Sequence, residues 1–549
     1  MEAISVLGSN DAPFEASGAP TRPADSPAGS RADASAQRQA VLRAFTLRWE
    51  LDDGVPGASE AVDALLETAD CNDWADVRRA ALYVAIHRAT IAKDGTVDEA
   101  IRHLLDQAQA DGNAAMIALA LAFRVTAWLG TGDRDRSMTT AADADLARAT
   151  ALLEHGDGSA LERITAHNRC AIAYGQRHLF ELEHEQYSAV EDLLDQCEDV
   201  RRVAGLRFNQ AEANLSWACA LRHRGTGDAV KDRVAEGMQS LAACESVEMP
   251  ADWRWELAVV ATLLAAVGGE DVADQARRLL SDTTVSPTYE GHLHLALALS
   301  TADKDLVTAA EAAERAVELI DPVNAPPEHD LALRVAAELE EKRVGGSTAG
   351  FRYGSQQTEL RWNARLSTLA AMEELLHSER LRTETEFLRQ QAFLDDLTGL
   401  SNRRGYARYI AGLGARGSDQ VAMLLVDVDR FKQVNDRFGH AVGDATLVRL
   451  ARVLSVAIRV EDLAARLGGD EFVVLLAGAG TGVGAARARA ILDAIAQEPW
   501  EELHNDLVVR ASIGVVADHP SRCDEMAVRA DTELYRAKAA GGARASVNR

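Results

Sequence analysis

The stretch Leu463-Ala-Ala-Arg-Leu-Gly468-Gly-Asp-Glu-Phe472-Val-Val-Leu-Leu476 decides the fold of the C-terminal part of this chain. Two apolar runs of β-compatible residues flank a pair of glycines, a pattern that predicts an antiparallel hairpin. Asp470 and Glu471 stand at its tip, where folding does not require them. Neighbouring carboxylates repel each other unless a cation lies there. The hairpin therefore predicts a catalytic metal site, and a solvated acidic turn is the alternative.

A second acidic cluster lies upstream, at the end of an apolar run. Residues 421–426 are all apolar and lead into Asp427. This pattern predicts a buried central strand with a carboxylate at its C-terminal end, where ligands gather in open α/β sheets. Asp427 and Asp470 are expected to converge on one divalent ion, since Mg²⁺ prefers carboxylate oxygens and takes its other ligands from substrate phosphates. A two-metal arrangement would suit in-line displacement at phosphorus.

The residues that follow this strand mix cations, amides and acids. Lys432 is expected to neutralise a phosphate as a point charge. Asn435 and Asp444 together offer a donor, an acceptor and a carboxylate, a set that can read the hydrogen-bonding edge of guanine. Asp444 also suits the N-cap of an apolar helix over 445–458, and the two roles are compatible.

The region from Asp395 to about Arg544 resembles the diguanylate cyclase (GGDEF) domain family. Five motifs occur in the family order: Asp395–Arg404, Asp427–His440, Arg466–Phe472, Ala511–Val515 and Ala530–Lys538. The resemblance covers only the last part of the chain. It implies an α/β domain of the nucleotidyl cyclase and polymerase palm type, which condenses two GTP molecules into cyclic di-GMP and two pyrophosphates.

The same resemblance implies roles for the residues at matching positions. Mg²⁺ (or Mn²⁺) would be held by Asp427, the backbone carbonyl of Val428 and Asp470. Glu471 would complete the acidic pair, as a second-metal ligand or as a group that assists deprotonation of the 3′-hydroxyl. The implied substrate contacts are guanine at Asn435 and Asp444, phosphates at Lys432, Lys538 and the backbone near Phe431, and a close approach of the hairpin backbone at Gly468 and Gly469.

The C-terminal end departs from the family pattern at one position. Family members often continue after the last-helix lysine with Gly-Arg-Asn, whereas this chain has Ala-Ala-Gly541-Gly542-Ala-Arg544 after Lys538. Gly542 stands at the expected arginine position. The phosphate contact that this arginine would make is therefore in question, unless the side chain of Arg544 makes it instead.

Arg459 and Asp462 form an Arg-x-x-Asp motif shortly before the hairpin. At this spacing the motif resembles the family's inhibitory site for its own product. Arg459 would grip phosphate or stack on guanine, and Asp462 would accept hydrogen bonds from the guanine edge. The alternative is an i,i+3 ion pair that closes the preceding helix.

Composition limits the possible partners. The net charge of −27 disfavours non-specific binding to nucleic acid or to anionic membranes, so a nucleotide must be held by a local basic pocket and a metal. Six scattered cysteines without a Cys-x-x-Cys pair predict reduced thiols in a cytoplasmic protein. The longest apolar run, 257–267, is too short to span a bilayer, and the N-terminus lacks a secretory signal pattern.

The first two thirds of the chain predict a separate helical region. Residues 1–37 are rich in Ala, Ser, Pro and Gly and are expected to be disordered. Residues 38–345 predict a helix-hairpin solenoid that resembles tetratricopeptide repeats in architecture, with helices over 75–92, 97–109 and 114–129. This region is expected to bind an unknown protein or ligand, and a spacer is the alternative. The aromatic residues Tyr174, Trp217, Trp253 and Trp255 would line a pocket or belong to the core.

A connector is predicted over 355–394, before the cyclase-like domain at 395–549. Its apolar residues Trp362, Leu366, Leu369, Met372 and Leu376 step by four and three, which favours a two-stranded coiled coil. An amphipathic helix that packs back on the repeats is the alternative. Because each domain would hold one GTP, the active form is expected to be a homodimer. A weakly active or inactive protein that acts as a receptor for cyclic di-GMP or GTP, or as a scaffold, is the other reading.

Overall fold

A computed structural model gives the architecture of the chain. The structure describes residues 27–548 except 94, 131–135, 155–157, 198, 245–246, 248–250, 282–285, 347–348, 414–419 and 460. The chain divides into two compact units, residues 1–381 and 382–549. None of the helices in the described ranges combines the length and the apolar content that crossing a bilayer requires.

The first unit is helical, as the sequence predicts. Its helices are α1 (Pro27–Asp52), α2 (Ala58–Asn72), α3 (Ala75–Ala92), α4 (Val97–Asp111), α5 (Ala114–Gly130), α6 (Arg136–Leu153), α7 (Ala160–Gln176), α8 (Phe180–Ser188), α9 (Glu191–Leu194), α10 (Val200–Arg224), α11 (Gly227–Cys244), α12 (Ala251–Gly268), α13 (Ala273–Leu280), α14 (Pro287–Thr301), α15 (Leu306–Leu319), α16 (Pro326–Val344) and α17 (Ala349–Gln391). The three helices predicted individually correspond to α3, α4 and α5. A tetratricopeptide-like repeat stays a prediction.

The predicted disorder of the N-terminus is wrong for residues 27–37, which lie in α1. Alanine is frequent there and favours a helix, and Phe45 and Leu47 later in α1 are buried in the core of the unit. Residues 1–26 lie outside the described residues. The aromatic residues proposed for a pocket are spread through the packing: Tyr174 is fully buried, and Trp253 contacts Trp49.

The connector helix supports the alternative interpretation over part of its length. Met372 and Leu376 in α17 are buried in the core cluster formed by the first helices of the unit, and Leu369 packs against it. The coiled-coil prediction is therefore wrong for these positions, because their apolar side chains already have a partner within the chain. Leu381 and Leu388, one heptad apart, are exposed.

The second unit contains a five-stranded sheet with helices on both faces. Its elements are α18 (Arg403–Leu413), β1 (Val421–Val428), α19 (Phe431–Phe438), α20 (His440–Val456), β2 (Leu463–Gly468), β3 (Glu471–Ala477), α21 (Thr481–Gln497), β4 (Ala511–Asp518), α22 (Cys523–Ala539) and β5 (Ala545–Val547). The strand order is β2-β3-β1-β4-β5, and only the β4–β5 pair is parallel. The predicted hairpin, central strand and last helix are all present.

Strand β1 is apolar throughout because both of its faces are covered. Leu424 and Val426 join the core formed with α20 and α21, whereas Val421 and Met423 join the core formed with α18 and α22. Side chains alternate between the two faces of a strand. Asp427, four residues after Met423, therefore lies on the α22 face, at the C-terminal end of β1.

A glycine lets α22 approach the sheet closely. A Cβ atom at Gly514 in β4 would lie 2.1 Å from the carbonyl oxygen of Ala530 and 2.6 Å from the amide nitrogen of Leu534. Only glycine allows such contact between a strand and a helix backbone. This contact sets the position of α22, which carries Lys538 toward the end of β1.

Candidate active site

Two glycines and one arginine determine the backbone conformation of the hairpin turn. Gly468 and Gly469 have φ angles of 149° and 56°, which L-residues rarely adopt. The Arg466 guanidinium donates two hydrogen bonds to the Gly469 carbonyl oxygen, from Nε at 3.0 Å and Nη2 at 2.8 Å. Two bonds from one planar group fix the direction of the turn that carries Asp470.

Asp395, in the first of the five motifs, supports Arg466. Its Oδ1 accepts a hydrogen bond from Arg466 Nη1 at 2.9 Å and further bonds from the amide and the hydroxyl of Thr398. Burial would raise the pKa of Asp395, but the Thr398 and Arg466 hydrogen bonds hold it below the ordinary value. Sequence reasoning missed this role, which joins residues far apart in the chain.

The structure brings the predicted acidic residues together. Asp427 in β1 lies directly opposite Glu471 in β3 in the antiparallel register. Directly paired residues point to the same face of a sheet. Asp470 occupies the adjoining turn, and both Asp470 and Glu471 act electrostatically on Asp427. Val428, predicted to offer its backbone carbonyl, is the last residue of β1.

Lys538 meets this acidic group from α22. Its Nζ lies 2.6 Å from Asp427 Oδ1. Burial raises the pKa of Asp427, the Lys538 ammonium opposes the rise, and the charges of Asp470 and Glu471 add to it. The sequence predicts that Lys538 holds a phosphate. In the structure its ammonium group balances the most buried of the three acids.

The donor set fits Mg²⁺ or Mn²⁺. Asp427 is only 7% exposed, and one lysine opposes three carboxylates, so an added divalent cation would relieve their repulsion. Within the described residues, no three His, Cys, Asp or Glu side chains form a metal cage by themselves. Mg²⁺ does not need one, because it usually binds one or two carboxylates, substrate phosphates and water.

The start of α19 offers a place for phosphates. Arg430 precedes this helix in a left-handed conformation, with φ of 59°, and turns the chain from β1 into Phe431 and Lys432. The free N–H groups of a helix N-terminus attract anions, and Lys432 is exposed beside them. The predicted phosphate contacts at Phe431 and Lys432 therefore lie next to the end of β1.

Asn435 lies against the backbone of α20. A Cβ atom at Gly443 would lie 1.8 Å from Asn435 Oδ1, so this glycine makes room for the amide beside Asp444. The proposed guanine-reading pair is thus brought close. The N-cap prediction for Asp444 is wrong, because α20 already begins at His440 and Asp444 lies within it, exposed.

Asp429 is a positioning residue that the sequence reasoning missed. Its Oδ1 accepts a hydrogen bond from Ser512 Oγ at 2.7 Å, and its Oδ2 accepts one from the Ala543 amide at 2.7 Å. A Cβ atom at Gly542, where φ is 72°, would lie 2.8 Å from the same carboxylate. A residue with a side chain at position 542 would therefore be strained by its φ angle and would displace the Asp429 carboxylate. Arg544 folds back, with its Nε 3.1 Å from the Gly542 carbonyl oxygen.

In the predicted inhibitory motif, Asp462 holds the local backbone, whereas the side chain of Arg459 is exposed. Asp462 accepts hydrogen bonds from the amides of Arg459 and Ala477, at 3.1 and 2.9 Å. The Arg459 side chain is 72% exposed and lies 3.6 Å from Glu461. The alternative Arg459–Asp462 ion pair is therefore absent from these contacts, and the guanidinium points to solvent.

These motifs belong to one domain type. Residues 392–544 match the family model described as "Diguanylate cyclase, GGDEF domain". The C-terminal region is a GGDEF domain. The hairpin, the acid at the end of β1 and the last-helix lysine all lie within the matched residues.

Curated relatives share this GGDEF domain. The chain is 39% identical over 166 residues to diguanylate cyclase TpbB of Pseudomonas aeruginosa, a match that covers 29% of this chain and 38% of the relative. It is 36% identical over 172 residues to the response regulator PleD of Caulobacter vibrioides, with 30% and 38% covered. The chain thus spans well under half the length of these relatives.

A solved structure is also similar to part of this chain. It is the coiled coil and GGDEF domain of DgcB from Caulobacter crescentus in complex with c-di-GMP, 28% identical, covering 34% of this chain and 98% of that one, with a TM-score of 0.29.

Proposed function

We propose that this chain is a diguanylate cyclase that condenses two GTP molecules into cyclic di-GMP and two pyrophosphates. The observation that carries the proposal is the buried Asp427 carboxylate directly opposite Glu471, with Asp470 in the adjoining hairpin turn. Phosphoryl transfer depends mainly on positioning and electrostatic stabilisation, and this arrangement offers both. The named activity of the similar relatives supports the same reaction.

Each half-reaction forms one bond and breaks one. The 3′-hydroxyl oxygen of one GTP bonds to the α-phosphorus of the other, the bond between the α-phosphorus and the bridging oxygen breaks, and pyrophosphate leaves. A bound Mg²⁺ or Mn²⁺ would supply positive charge to the phosphate oxygens. Asp427, the Val428 carbonyl and Asp470 would hold it. Glu471 would receive the hydroxyl proton or hold a second ion.

The other residues bind and orient the nucleotide. Asn435 and Asp444 would hydrogen-bond the guanine edge, and Lys432 with the N–H groups at the start of α19 would bind phosphates. Lys538 would exchange its contact with Asp427 for a phosphate oxygen when nucleotide enters. Arg466 would keep the hairpin backbone, including Gly468 and Gly469, in the conformation that approaches the substrate.

The reaction requires two GGDEF domains, so we propose a homodimer. The exposed leucines Leu381 and Leu388 in α17 offer one apolar edge for a second copy. At protein concentrations below the dimer dissociation constant, the rate should then rise with the square of the protein concentration. Sedimentation at the same concentrations should show the monomer.

Regulation is proposed at two places. Cyclic di-GMP would bind the exposed Arg459 guanidinium, with the unused lone pairs of Asp462 accepting from guanine. The helical first unit would respond to an unknown protein or ligand. We place the protein in the cytoplasm on composition alone.

A receptor without catalysis is the second candidate, favoured by Gly542 at the arginine position. Incubation of the full chain with GTP and Mg²⁺ or Mn²⁺, followed by separation of the nucleotides, distinguishes the two. We expect cyclic di-GMP from the wild type, loss of at least a hundredfold in Asp470→Asn, and an unchanged rate in the control Asp493→Asn, an exposed acid on α21. No product with either metal, even after washing out bound cyclic di-GMP, would reject the cyclase.

A further inference from the structure

An arginine immediately before β4 lies at the same end of the sheet as the proposed active site. Strand β4 runs antiparallel to β1, and Ala511 at its start pairs with Val428 at the end of β1. One residue further out, the Asp429 amide donates a hydrogen bond to the carbonyl oxygen of Arg510 at 2.8 Å. The backbone of Arg510 therefore contacts the residue that leads from β1 into the turn before α19.

The side chain of Arg510 lies on the α22 face of the sheet. Val509 and Ala511, on either side of it, are buried in the core formed with α20 and α21. Arg510 is exposed between them. Because side chains alternate along an extended chain, that of Arg510 lies on the opposite face. The same face carries Asp427 and receives Lys538 from α22.

The guanidinium of Arg510 is free. It makes no hydrogen bond, ion pair or ring contact with any residue in the described ranges. Asp429, the acid beside it, already accepts hydrogen bonds from Ser512 Oγ and the Ala543 amide. Exposed arginines are common on protein surfaces, but this one stands at the active-site end of the sheet. In a chain of net charge −27, it offers positive charge where an anionic substrate would bind.

Arg510 also adjoins the position where the family pattern places a phosphate-binding arginine. Gly542 stands at that position, and a Cβ atom there would lie 2.8 Å from the Asp429 carboxylate. Position 542 thus meets the side chain of Asp429, and Arg510 meets its backbone. A long side chain at 510 can therefore serve the region that an arginine at 542 would serve. Arg544 is less suited, because its Nε donates to the Gly542 carbonyl oxygen at 3.1 Å within its own loop.

The position of Arg510 favours the outer phosphates of GTP over the α-phosphate. The α-phosphorus must lie at the metal held by Asp427 and Asp470, since the bond that forms and the bond that breaks both end there. The outer phosphates would extend to the start of α19, where N–H groups and Lys432 attract anions. Arg510 stands beside the turn that precedes α19. Its guanidinium would therefore meet the β- or γ-phosphate.

We propose that Arg510 binds an outer phosphate of GTP and makes the contact of the arginine that is absent at position 542. This inference rests on the proposed cyclase function. A planar guanidinium can donate two parallel hydrogen bonds to phosphate oxygens, which lysine cannot do. The same contact would neutralise the charge that develops on the departing pyrophosphate. Arg510 would thus lower both the dissociation constant for GTP and the barrier to transfer.

Titration calorimetry of the full chain, freed of bound cyclic di-GMP, measures this contact without turnover. The probe is a GTP analogue with a methylene group between the α- and β-phosphates, in the presence of Mg²⁺. GMP is the comparison nucleotide, because it lacks the outer phosphates. Arg510→Ala should weaken binding of the analogue at least tenfold and leave GMP binding unchanged, and Arg510→Lys should recover part of the loss. The control Arg489→Ala removes an exposed arginine of α21, on the other face of the sheet, and should bind as the wild type does.

A turnover assay and thermal unfolding complete the test. Arg510→Ala should raise KM for GTP and lower kcat while its unfolding temperature stays that of the wild type. The inference is overturned if Arg510→Ala binds the analogue as tightly as the wild type, if its affinity for GMP falls equally, or if Arg544→Ala alone causes the loss. In these cases a wild type that forms cyclic di-GMP keeps its assignment as a cyclase. A wild type that binds no analogue overturns both proposals.

Discussion

Three glutamates in the first unit should make its stability depend on pH. Glu183 in α8, Glu212 in α10 and Glu328 in α16 interact electrostatically. Glu183 and Glu328 are 7% and 3% exposed, and Glu328 Oε2 is buried without a hydrogen-bond partner. Burial first, and the neighbouring acids second, raise the pKa of Glu183 to about 8. Burial also raises the pKa of Glu328, to about 7.

The direction of the pH effect follows from proton binding. The ordinary pKa of a glutamate is 4.5, so between pH 4.5 and about 8 the folded state holds a proton on Glu183 that the unfolded state releases. The free energy of unfolding therefore falls as pH rises through this window. A pKa difference of about 3.5 at ~1.4 kcal/mol per unit gives a loss of about 5 kcal/mol above pH 8.

The perturbation that isolates this effect is Glu183→Gln, which keeps the shape of the protonated acid and cannot ionise. At pH 5.5, one unit above the ordinary pKa, the variant should already be more stable than the wild type by about 1.4 kcal/mol. At pH 8.5 the variant should be more stable by several kcal/mol. Glu67→Gln, at an exposed position in α2, is the matched control and should follow the wild type.

Tryptophan fluorescence is a suitable assay, because seven of the eight tryptophans precede residue 382 and report on the first unit. Urea unfolding would be followed at pH values from 5.5 to 8.5. If the wild type and Glu183→Gln show the same pH dependence, the buried acids do not hold their protons in the folded state, and the reasoning fails.

Three further predictions concern the GGDEF domain. Gly514→Ala should lower the free energy of unfolding of this domain by about 1–3 kcal/mol, since the added methyl group meets the backbone of α22. The control Gly412→Ala, in helix α18, has no atom within 4 Å of its new methyl group and should leave the stability unchanged or raise it by up to about 1 kcal/mol in the same thermal assay. Arg466→Lys should slow cyclic di-GMP formation about tenfold or more, because lysine cannot make both bonds to the turn carbonyl, and a wild-type rate would contradict the positioning role. Arg459→Ala should raise the half-inhibitory concentration of cyclic di-GMP about tenfold, and an unchanged value would remove this residue from the inhibitory site.

The sequence determined the local elements of the second unit. Apolar residues at 421–426 and on both sides of Gly468 and Gly469 predicted a central strand and a hairpin, and both are present. Strand and turn patterns involve residues that are close together in the sequence, so they can be recognised without knowledge of the tertiary structure. The ordered motifs also indicated the domain family. The disorder predicted for residues 27–37 and the N-cap at Asp444 failed because α1 begins at Pro27 and α20 begins at His440.

Tertiary structure alone decided which distant side chains meet. The Asp395–Arg466 contact spans 71 residues, and the pairing of Lys538 with Asp427 depends on how closely α22 packs on Gly514. Met372 and Leu376 are likewise buried against the first helices of the first unit. Their heptad spacing shows that they lie on one apolar face, but it does not show which surface covers that face. Periodicity fixes which face of an element is apolar, whereas the partner of that face is chosen by the packing of the whole chain.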